Sequence, residues 1–285
     1  MRCEIVHGVF APTTLNALAL RTLTRGRPSV QTLASLPAGE TRIGEVVYAD
    51  RVVVLSRAAE ARALAEGVEA ERLVRIRPAV SPPEAPSESR VLREMERLVL
   101  SRAAMRVGYV GDLEHGDGAQ MLIDACAAEA LVAEVVLVMA TRAKTGSAQA
   151  RQMALHGRAR ARRVRIVWAG TSPDIHALIA ACDVVALPTN SLFAKVDHPL
   201  ILLEAMHLGV PVIVTRGTSA YELAEEGGAL GVDHDVGALV EQLVALRSSE
   251  ARERAAARGR AFARSELSLD AMARAYGAVY DALLR

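Results

Sequence analysis

Short apolar runs rich in β-branched residues alternate along the whole chain with Ala-, Leu- and Arg-rich segments of helical period. This alternation constrains the fold most, because a strand, a helix and a second strand in succession form a parallel βαβ unit. The chain is therefore predicted to be α/β, with parallel sheets and two long helices at its end. The runs predicted as strands are "EIVHGVF", "SVQTLAS", "RVVVLS", "LVRIRPA", "MRVGYVG", "AEVVLVMAT", "VRIVWAG", "CDVVALP" and "VPVIVT".

A proline-rich stretch, "RPAVSPPEAPSESR", separates the first four of these runs from the other five. Its prolines forbid a continuous helix or a central strand at this point. A chain of 285 residues, 51% of them hydrophobic, can bury two cores. We therefore expect two Rossmann-like domains in series, residues 1–80 and residues 81–285, the second carrying the C-terminal helices.

Charge and cysteine usage exclude several classes of protein. A formal net charge of +1 gives no reason to expect a nucleic-acid partner. Apolar runs such as "EVVLVMA" are far shorter than the roughly 20 residues that span a bilayer. Cys3, Cys126 and Cys182 are scattered and lack metal-site spacing, which argues against a disulfide framework and against zinc. A reducing cytoplasm is the expected location.

Two charged motifs have both a structural and a functional interpretation. The "DHD" at Asp233 to Asp235 imitates a metal motif but precedes a helical segment, so a helix N-cap is favoured and no metal is predicted. The run "RARARRVR" at residues 158–165 is expected at a helix C-terminus, where the helix dipole favours cations. Its alternative is contact with phosphate groups, which includes peripheral association with a membrane.

Ligands of open parallel sheets bind beyond the carboxyl ends of the strands. Four polar or Gly-containing segments leave predicted strands of the second domain, and they begin at Gly111, Thr141, Gly170 and Pro188. The only two lysines of the chain, Lys144 and Lys195, fall in these segments. Compact ammonium groups suit phosphate. The alternative is chance, because most lysines lie in loops.

The segment "DHPLILLEAMHLG" is predicted to form a helix that begins at Pro199, where a missing N–H does no harm, and ends at Gly209. Asp197 or His198 can cap its start. The first backbone N–H groups of a helix are unpaired and attract anions. The predicted anion site comprises Leu200, Ile201 and the neighbouring Lys195.

Glu204 is the one carboxylate in this otherwise apolar helix. An unpaired carboxylate that faces a protein interior costs several kcal/mol, so Glu204 must meet either water or a polar partner. One interpretation is a ligand rich in hydroxyl groups above the start of the helix. The other is a solvated or internally satisfied helix residue.

The run "CDVVALPTNSLFAKVDHPLILLEAMHLGVPVIV", followed by "GTSAYELAEEGGALGV", resembles the donor-binding region of retaining GT-B glycosyltransferases of family 4. The resemblance covers residues 106–285. The segments "VHGVFAP", "RPSVQTLAS" and "ADRVVVLSRAAEARALAEGVEAERLVRIRPAV" resemble the second half of that family's acceptor domain. This resemblance implies sugar transfer from a nucleotide-sugar donor to a sugar, lipid-linked or small-molecule acceptor. It implies no cofactor and no obligatory metal.

The resemblance also implies roles for individual residues. Glu204 matches the second acid of the family's signature of two Glu separated by seven residues, which binds the donor ribose. Gly170 and its neighbours would lie near the base. The first acid of the signature would stand at Val196, so the adjacent Asp197 is predicted to replace it as the catalytic-site acid that touches the sugar.

The chain departs from the family in three ways. Asp112 and Asp117 stand where the family has the Arg and Lys that neutralise the diphosphate, and with Glu114 they make this loop acidic. Ala34 stands where the acceptor domain of the family usually has a His. About three βα units, roughly 90 residues, would precede "EIVHGVF" in the family, so the N-terminal domain is expected to be incomplete. The alternatives that follow are self-association, a partner subunit that supplies the missing layer, and a non-catalytic subunit that binds a sugar nucleotide or serves as a scaffold.

Overall fold

The structure is a computed structural model that describes residues 4–9, 13–37, 41–193 and 195–285. It contains two compact units. Unit 1 comprises Met1–Ser81, Leu192–Leu200 and Leu267–Arg285, and unit 2 comprises Pro82–Ser191 and Ile201–Glu266. The sequence-based division differs from this one, because it assigned residues 192–200 and 267–285 to the second domain. Cys3 lies outside the described residues.

Unit 1 is built on a four-stranded parallel sheet with strand order β1-β2-β3-β4. Its strands are β1 (Val6–Val9), β2 (Ser29–Leu33), β3 (Arg51–Val54) and β4 (Leu73–Arg75). Its helices are α1 (Thr14–Leu23), α2 (Ile43–Val46), α3 (Arg57–Ala65) and, from the end of the chain, α12 (Leu269–Leu284).

The run "RVVVLS" explains why unit 1 needs helices on both faces of its sheet. Val52 and Val54 pack in one cluster with Ala59 of α3, whereas Val53 packs in another with Val279 of α12. Successive side chains of a strand point to opposite faces, so a continuous apolar run indicates a strand that is buried on both. The apolar stripe of α12 covers the second face, which is the physical reason that this C-terminal helix belongs to unit 1.

Unit 2 is built on a six-stranded parallel sheet with strand order β10-β9-β8-β5-β6-β7. Its strands are β5 (Met105–Gly111), β6 (Val135–Thr141), β7 (Arg165–Trp168), β8 (Val184–Leu187), β9 (Val212–Thr215) and β10 (Leu230–Val232). Its helices are α4 (Glu88–Arg97), α5 (Gly118–Cys126), α6 (Gly146–Ala161), α7 (Ile175–Ala180), α8 (Leu200–Leu208, of which Leu200 groups with unit 1), α9 (Glu222–Glu225), α10 (Val236–Ala245) and α11 (Ser249–Glu266).

The predicted α/β architecture with two parallel sheets is confirmed. In unit 2 the chain runs outward from β5 to β7 and then returns to β8 on the other side of β5. Open sheets bind ligands in the crevice beyond the strand ends at such a switch point. A Cβ on Gly108 of β5 would lie 2.8 Å from Sγ of Cys182, in the turn that precedes β8, so a side chain larger than hydrogen does not fit there. The carboxyl ends of β5 and β8 are therefore the expected location of a ligand site.

The two charged motifs have structural partners. The Asp235 side chain accepts a hydrogen bond from the Ala238 N–H and caps α10. Arg158, in the last turn of α6, forms two hydrogen bonds of 2.7 Å with Asp124. Within the described ranges, no group of three or more His, Cys, Asp or Glu side chains is arranged to hold a metal ion.

Cys126 and Cys182 are free and buried, and burial raises the pKa of each thiol to about 12. Both are therefore protonated at neutral pH. The helices of the described part of the chain include none that is both long and apolar enough to cross a membrane.

Candidate functional site

The loops that follow β5 and β8 are joined at the carboxyl edge of the unit 2 sheet. The Asn190 N–H donates a hydrogen bond of 3.0 Å to Asp117 Oδ1. Thr215, at the end of β9, donates from Oγ1 to the Thr189 carbonyl over 2.8 Å. Gly116 has a φ of +76°, and a Cβ there would lie 2.1 Å from Thr189 Oγ1. Glycine therefore stands where the two loops touch, and these contacts hold the loops together at the carboxyl edge of the sheet.

The acidic loop after β5 is engaged by neighbouring side chains. Asp117 precedes α5 but makes no side-chain hydrogen bond to that helix, and instead its carboxylate lies 3.1 Å from His234 Nε2. Glu114 Oε1 accepts a hydrogen bond of 3.2 Å from Thr145 Oγ1. The tyrosine hydroxyl of Tyr109 donates to the Asp112 carbonyl, and its pKa is raised by burial. Asp117 thus has an adjacent partner that can compensate its charge.

Glu204 lies on α8, where Leu202, Leu203, Ala205 and Met206 are buried. Its side chain is 25% exposed, and its Oε2 lies 3.6 Å from Nε2 of His176, whose side chain is 33% exposed. None of the residues that the structure describes donates a hydrogen bond to this carboxylate. The lone acid of this apolar helix therefore meets both a polar partner and solvent.

The first turn of α7 carries His176, and two contacts fix that turn. Asp174 caps α7 by accepting from the Ala177 N–H over 3.1 Å. The same carboxylate forms a two-bond ion pair with Arg90 of α4, at 2.8 and 3.0 Å. This pairing lowers the pKa of Asp174. His176 was not predicted from the sequence. Asp174 indicates where α7 begins, but no sequence pattern indicates that His176 contacts α8.

The segment before α8 belongs to unit 1 and is held there by buried contacts. Asp197 is 3% exposed, and its Oδ2 accepts a hydrogen bond of 2.6 Å from Ser56 Oγ. Its N–H donates to the Ala34 carbonyl over 3.3 Å. Val196 packs against the cluster that contains Val53. Val196, where the resemblance predicts the first acid of the signature, thus packs against the core of unit 1.

The other predicted site residues lie at or near strand and helix ends. Gly111 closes β5, and Gly170 follows β7 with a φ of +61°. Lys144 is exposed in the loop before α6, and Ile201 lies in the first turn of α8. The helix begins at Leu200, one residue later than predicted. Gly111, Lys144, Gly170, Ile201 and Glu204 belong to unit 2, whereas Lys195, Asp197 and Leu200 belong to unit 1.

Residues 104–249, just over half of the chain, match the family model described as "Glycosyl transferases group 1". The chain belongs to the group 1 glycosyl transferases. The matched region contains all six strands of the unit 2 sheet and both residues of the Glu204–His176 pair. No curated protein matches this glycosyl transferase.

Solved structures share the fold of this glycosyl transferase at low identity. HepE of Anabaena, in complex with UDP and glucose, has a TM-score of 0.83 and 19% identity over 98% of this chain and 78% of that chain. Sucrose-phosphate synthase of Thermosynechococcus elongatus has a TM-score of 0.78 and 20% identity over 98% and 73%. The α,α-trehalose-phosphate synthase (UDP-forming) of Burkholderia xenovorans, in complex with glucose-6-phosphate, has a TM-score of 0.77 and 14% identity over 97% and 74%. The two parallel-sheet units match those of GT-B glycosyltransferases.

Proposed function

We propose that this group 1 glycosyl transferase transfers a sugar from a nucleoside-diphosphate donor to an acceptor with retention of anomeric configuration, as in family 4. The observation that carries the proposal is Glu204. It is a partly exposed carboxylate on an otherwise apolar helix, with hydrogen-bonding capacity left for a ligand. The strand order of unit 2 is one that binds nucleotides. HepE has been solved with UDP and with UDP-glucose, which makes UDP the first nucleotide to test.

The proposed residue roles follow from the chemistry of the donor. In unit 2, Glu204 accepts hydrogen bonds from the ribose, and the loop at Gly170 lies near the base. The N–H of Ile201 faces the phosphates. Lys195, Asp197 and Leu200 belong to unit 1, and their roles toward the phosphates and the sugar remain predictions from the sequence. The remaining proposed contacts with the donor are the loops at Gly111 and Lys144.

The proposed reaction is a front-face substitution. The bond from the sugar C1 to the β-phosphate oxygen breaks, and a bond to the acceptor oxygen forms on the same face of the sugar. The acceptor proton passes to the departing phosphate oxygen, and the products are a nucleoside diphosphate and a glycoside. Fixed N–H groups that face the phosphates stabilise the charge that develops on the leaving group.

The test is a calorimetric titration of UDP and GDP against the unmodified protein, Glu204→Gln and, as a matched control, Glu241→Gln on the exposed face of α10. A charge-assisted hydrogen bond contributes about 1.5–3 kcal/mol, so Glu204→Gln is expected to weaken nucleotide binding by about 10-fold or more. Glu241→Gln is expected to bind as the unmodified protein does. If that protein binds neither nucleotide at millimolar concentration, the proposal fails.

A second candidate function is a non-catalytic subunit that binds a sugar nucleotide or serves as a scaffold. Two observations favour it. Val196, in the position of the family's first acid, packs in the core of unit 1, and Asp112 and Asp117 replace the cations of the family's phosphate loop. Nuclear magnetic resonance of a UDP-sugar incubated with protein and candidate acceptors separates the two functions. Retained anomeric configuration in a glycoside product supports the enzyme, and nucleotide binding without donor consumption supports the subunit.

A further inference from the structure

The contact between His176 and Glu204 joins α7 and α8, two successive helices that β8 separates in the chain. His176 lies in the first turn of α7, and Glu204 lies in the second turn of α8. The 3.6 Å between Nε2 and Oε2 is an ion-pair distance and is longer than a hydrogen bond. Nε2 therefore lies close to the carboxylate without a direct hydrogen bond that would occupy its lone pairs.

Two features make His176 suitable for orienting this carboxylate. Its helix turn is fixed by the Asp174 cap and by the ion pair of Asp174 with Arg90, so the imidazole extends from a rigid support. When the ring carries a proton on Nε2, that proton faces one oxygen of Glu204. Attraction at that oxygen directs the other toward solvent, and a carboxylate can accept about four hydrogen bonds in all.

We propose that His176 is a positioning residue that orients Glu204 toward the two ribose hydroxyl groups of a ribonucleoside diphosphate. The inference rests on the proposed function and adds to it the residue that sets the preference for a ribonucleotide. A site built to accept from both hydroxyls discriminates against a ligand that lacks one, because part of its carboxylate is then left without a donor. The protein therefore selects ribonucleotides over 2′-deoxyribonucleotides, and His176 sets the size of that preference.

The experiment measures the binding of UDP and of 2′-deoxy-UDP by calorimetry to the unmodified protein, His176→Ala and His176→Gln. The unmodified protein is expected to prefer UDP by about 10-fold, the worth of one hydrogen bond to a charged group. In His176→Ala the preference falls to about 3-fold or less, through weaker UDP binding and nearly unchanged 2′-deoxy-UDP binding. His176→Gln restores the preference, because its amide nitrogen carries a donor close to the position of Nε2.

Two controls separate positioning from a general structural effect. His156→Gln alters another histidine of unit 2, whose Nδ1 accepts from Trp168 Nε1 over 3.1 Å, and is expected to leave both affinities unchanged. In a Glu204→Gln background, His176→Ala is expected to cause no further loss of the preference. Equal unfolding temperatures of His176→Gln and the unmodified protein confirm that the fold is intact.

The outcomes distinguish the inference from the function on which it rests. If the unmodified protein binds no nucleoside diphosphate, the proposed function fails and the inference fails with it. If UDP binds but His176→Ala keeps the full preference, or loses both nucleotides equally, the positioning role alone is overturned. Failure of His176→Gln to restore the preference also overturns it.

Discussion

At the scale of single residues, buried polar groups have different fates in the two units. Asp197 is 3% exposed and bonded to Ser56, whose Oγ also accepts from the Ala59 N–H over 3.0 Å and caps α3. In unit 2, His207 Nε2 is buried and finds no hydrogen-bond partner within the described part of the chain. The Asp197–Ser56 hydrogen bond stabilises unit 1. The buried His207 nitrogen lowers the stability of unit 2, and an apolar residue in its place would remove that loss.

Asp197→Ala is expected to lower the free energy of unfolding of unit 1 by about 1–3 kcal/mol, because it leaves the buried Ser56 hydroxyl without its acceptor. Ser56→Ala also loses the helix cap, at a cost of about 1 kcal/mol. The double variant is expected to lose less than the sum of the two single variants, because both remove the same hydrogen bond. Denaturant titration of all four proteins measures the coupling, and strict additivity would contradict the proposed pair.

His207→Leu is expected to stabilise unit 2 by about 1 kcal/mol, because it removes a buried nitrogen without a partner and leaves an apolar group in its place. Leucine is also the better helix former. Two measurements test the effect: the thermal unfolding temperature of the variant and the hydrogen exchange of its α8 amides. A lower stability of this variant would show that the imidazole makes a contribution that its buried nitrogen does not reveal.

At the scale of elements, α12 is attached to the unit 1 sheet by a polar network as well as by apolar packing. His7 of β1 forms hydrogen bonds through Nδ1 to the Tyr280 hydroxyl over 2.8 Å and through Nε2 to Thr32 Oγ1 over 2.9 Å. Thr32 Oγ1 in turn lies 3.1 Å from the Tyr276 hydroxyl. Both ring nitrogens of His7 are used, so His7 is a satisfied structural histidine.

This network predicts an acid-sensitive attachment of α12. Burial lowers the pKa of His7 below its usual 6.5, so the folded state binds fewer protons than the unfolded state just below that pH. The histidine's contribution to stability is therefore complete above pH 6.5 and is lost as the pH falls from there toward the folded-state pKa. Hydrogen exchange of α12 amides at pH 7.5 and 5.5 should show weaker protection under acid, with a smaller difference in His7→Gln. An equal difference in the variant would rule out His7 as the cause.

The sequence predicted the elements better than their partners. Every predicted strand is present, because β-branched runs bounded by turn residues are a local signal. The missed strand, β10, is a three-residue run with a central glycine, Gly231, and has little signal of its own. The placement of α12 was missed for another reason: its apolar stripe fits any exposed sheet face, and long-range packing chooses among them.

For the candidate site too, the sequence predicted a single residue but not the residues that contact it. Glu204 stands out locally, because one acid in an apolar helix requires an explanation. His176 does not, because its contact with Glu204 depends on how α7 and α8 pack. The engagement of Asp117 by His234 was hidden for the same reason, since the two residues lie in loops after different strands. Side-chain pairs that join distant elements are the part of a site that local patterns do not contain.

At the scale of the whole molecule, the cover of the sheets is weakest where β1 and α1 lie. β1 is an edge strand of the described unit 1 sheet, and Val9 at its end is 61% exposed. α1 buries only Ala17, and its exposed residues include Leu15 and Leu18 at 76% and 63%. The interior strands β2, β6, β8 and β9 are buried throughout. Stability is therefore expected to be lower at β1 and α1 than in the interior of either sheet.

Hydrogen exchange is expected to protect β1 and α1 less than β5 and β6, because few buried apolar contacts hold them. The alternative is that the chain self-associates and covers this edge. Exchange followed by mass spectrometry, together with sedimentation at several concentrations, separates the two outcomes. Equally high protection in both units of a strict monomer would contradict the expectation.

Because α12 covers one face of the unit 1 sheet, the parts of this unit are synthesised at very different times. The sheet face formed by Val30, Val53 and Leu55 is covered by residues near Val279. Roughly 200 residues, including all of unit 2, must be translated after β4 before that cover exists, which takes about 10–40 s at ordinary rates of synthesis. Unit 1 therefore has an uncovered apolar face throughout that interval, and a nascent-chain chaperone would find its binding site here while unit 2 is being made.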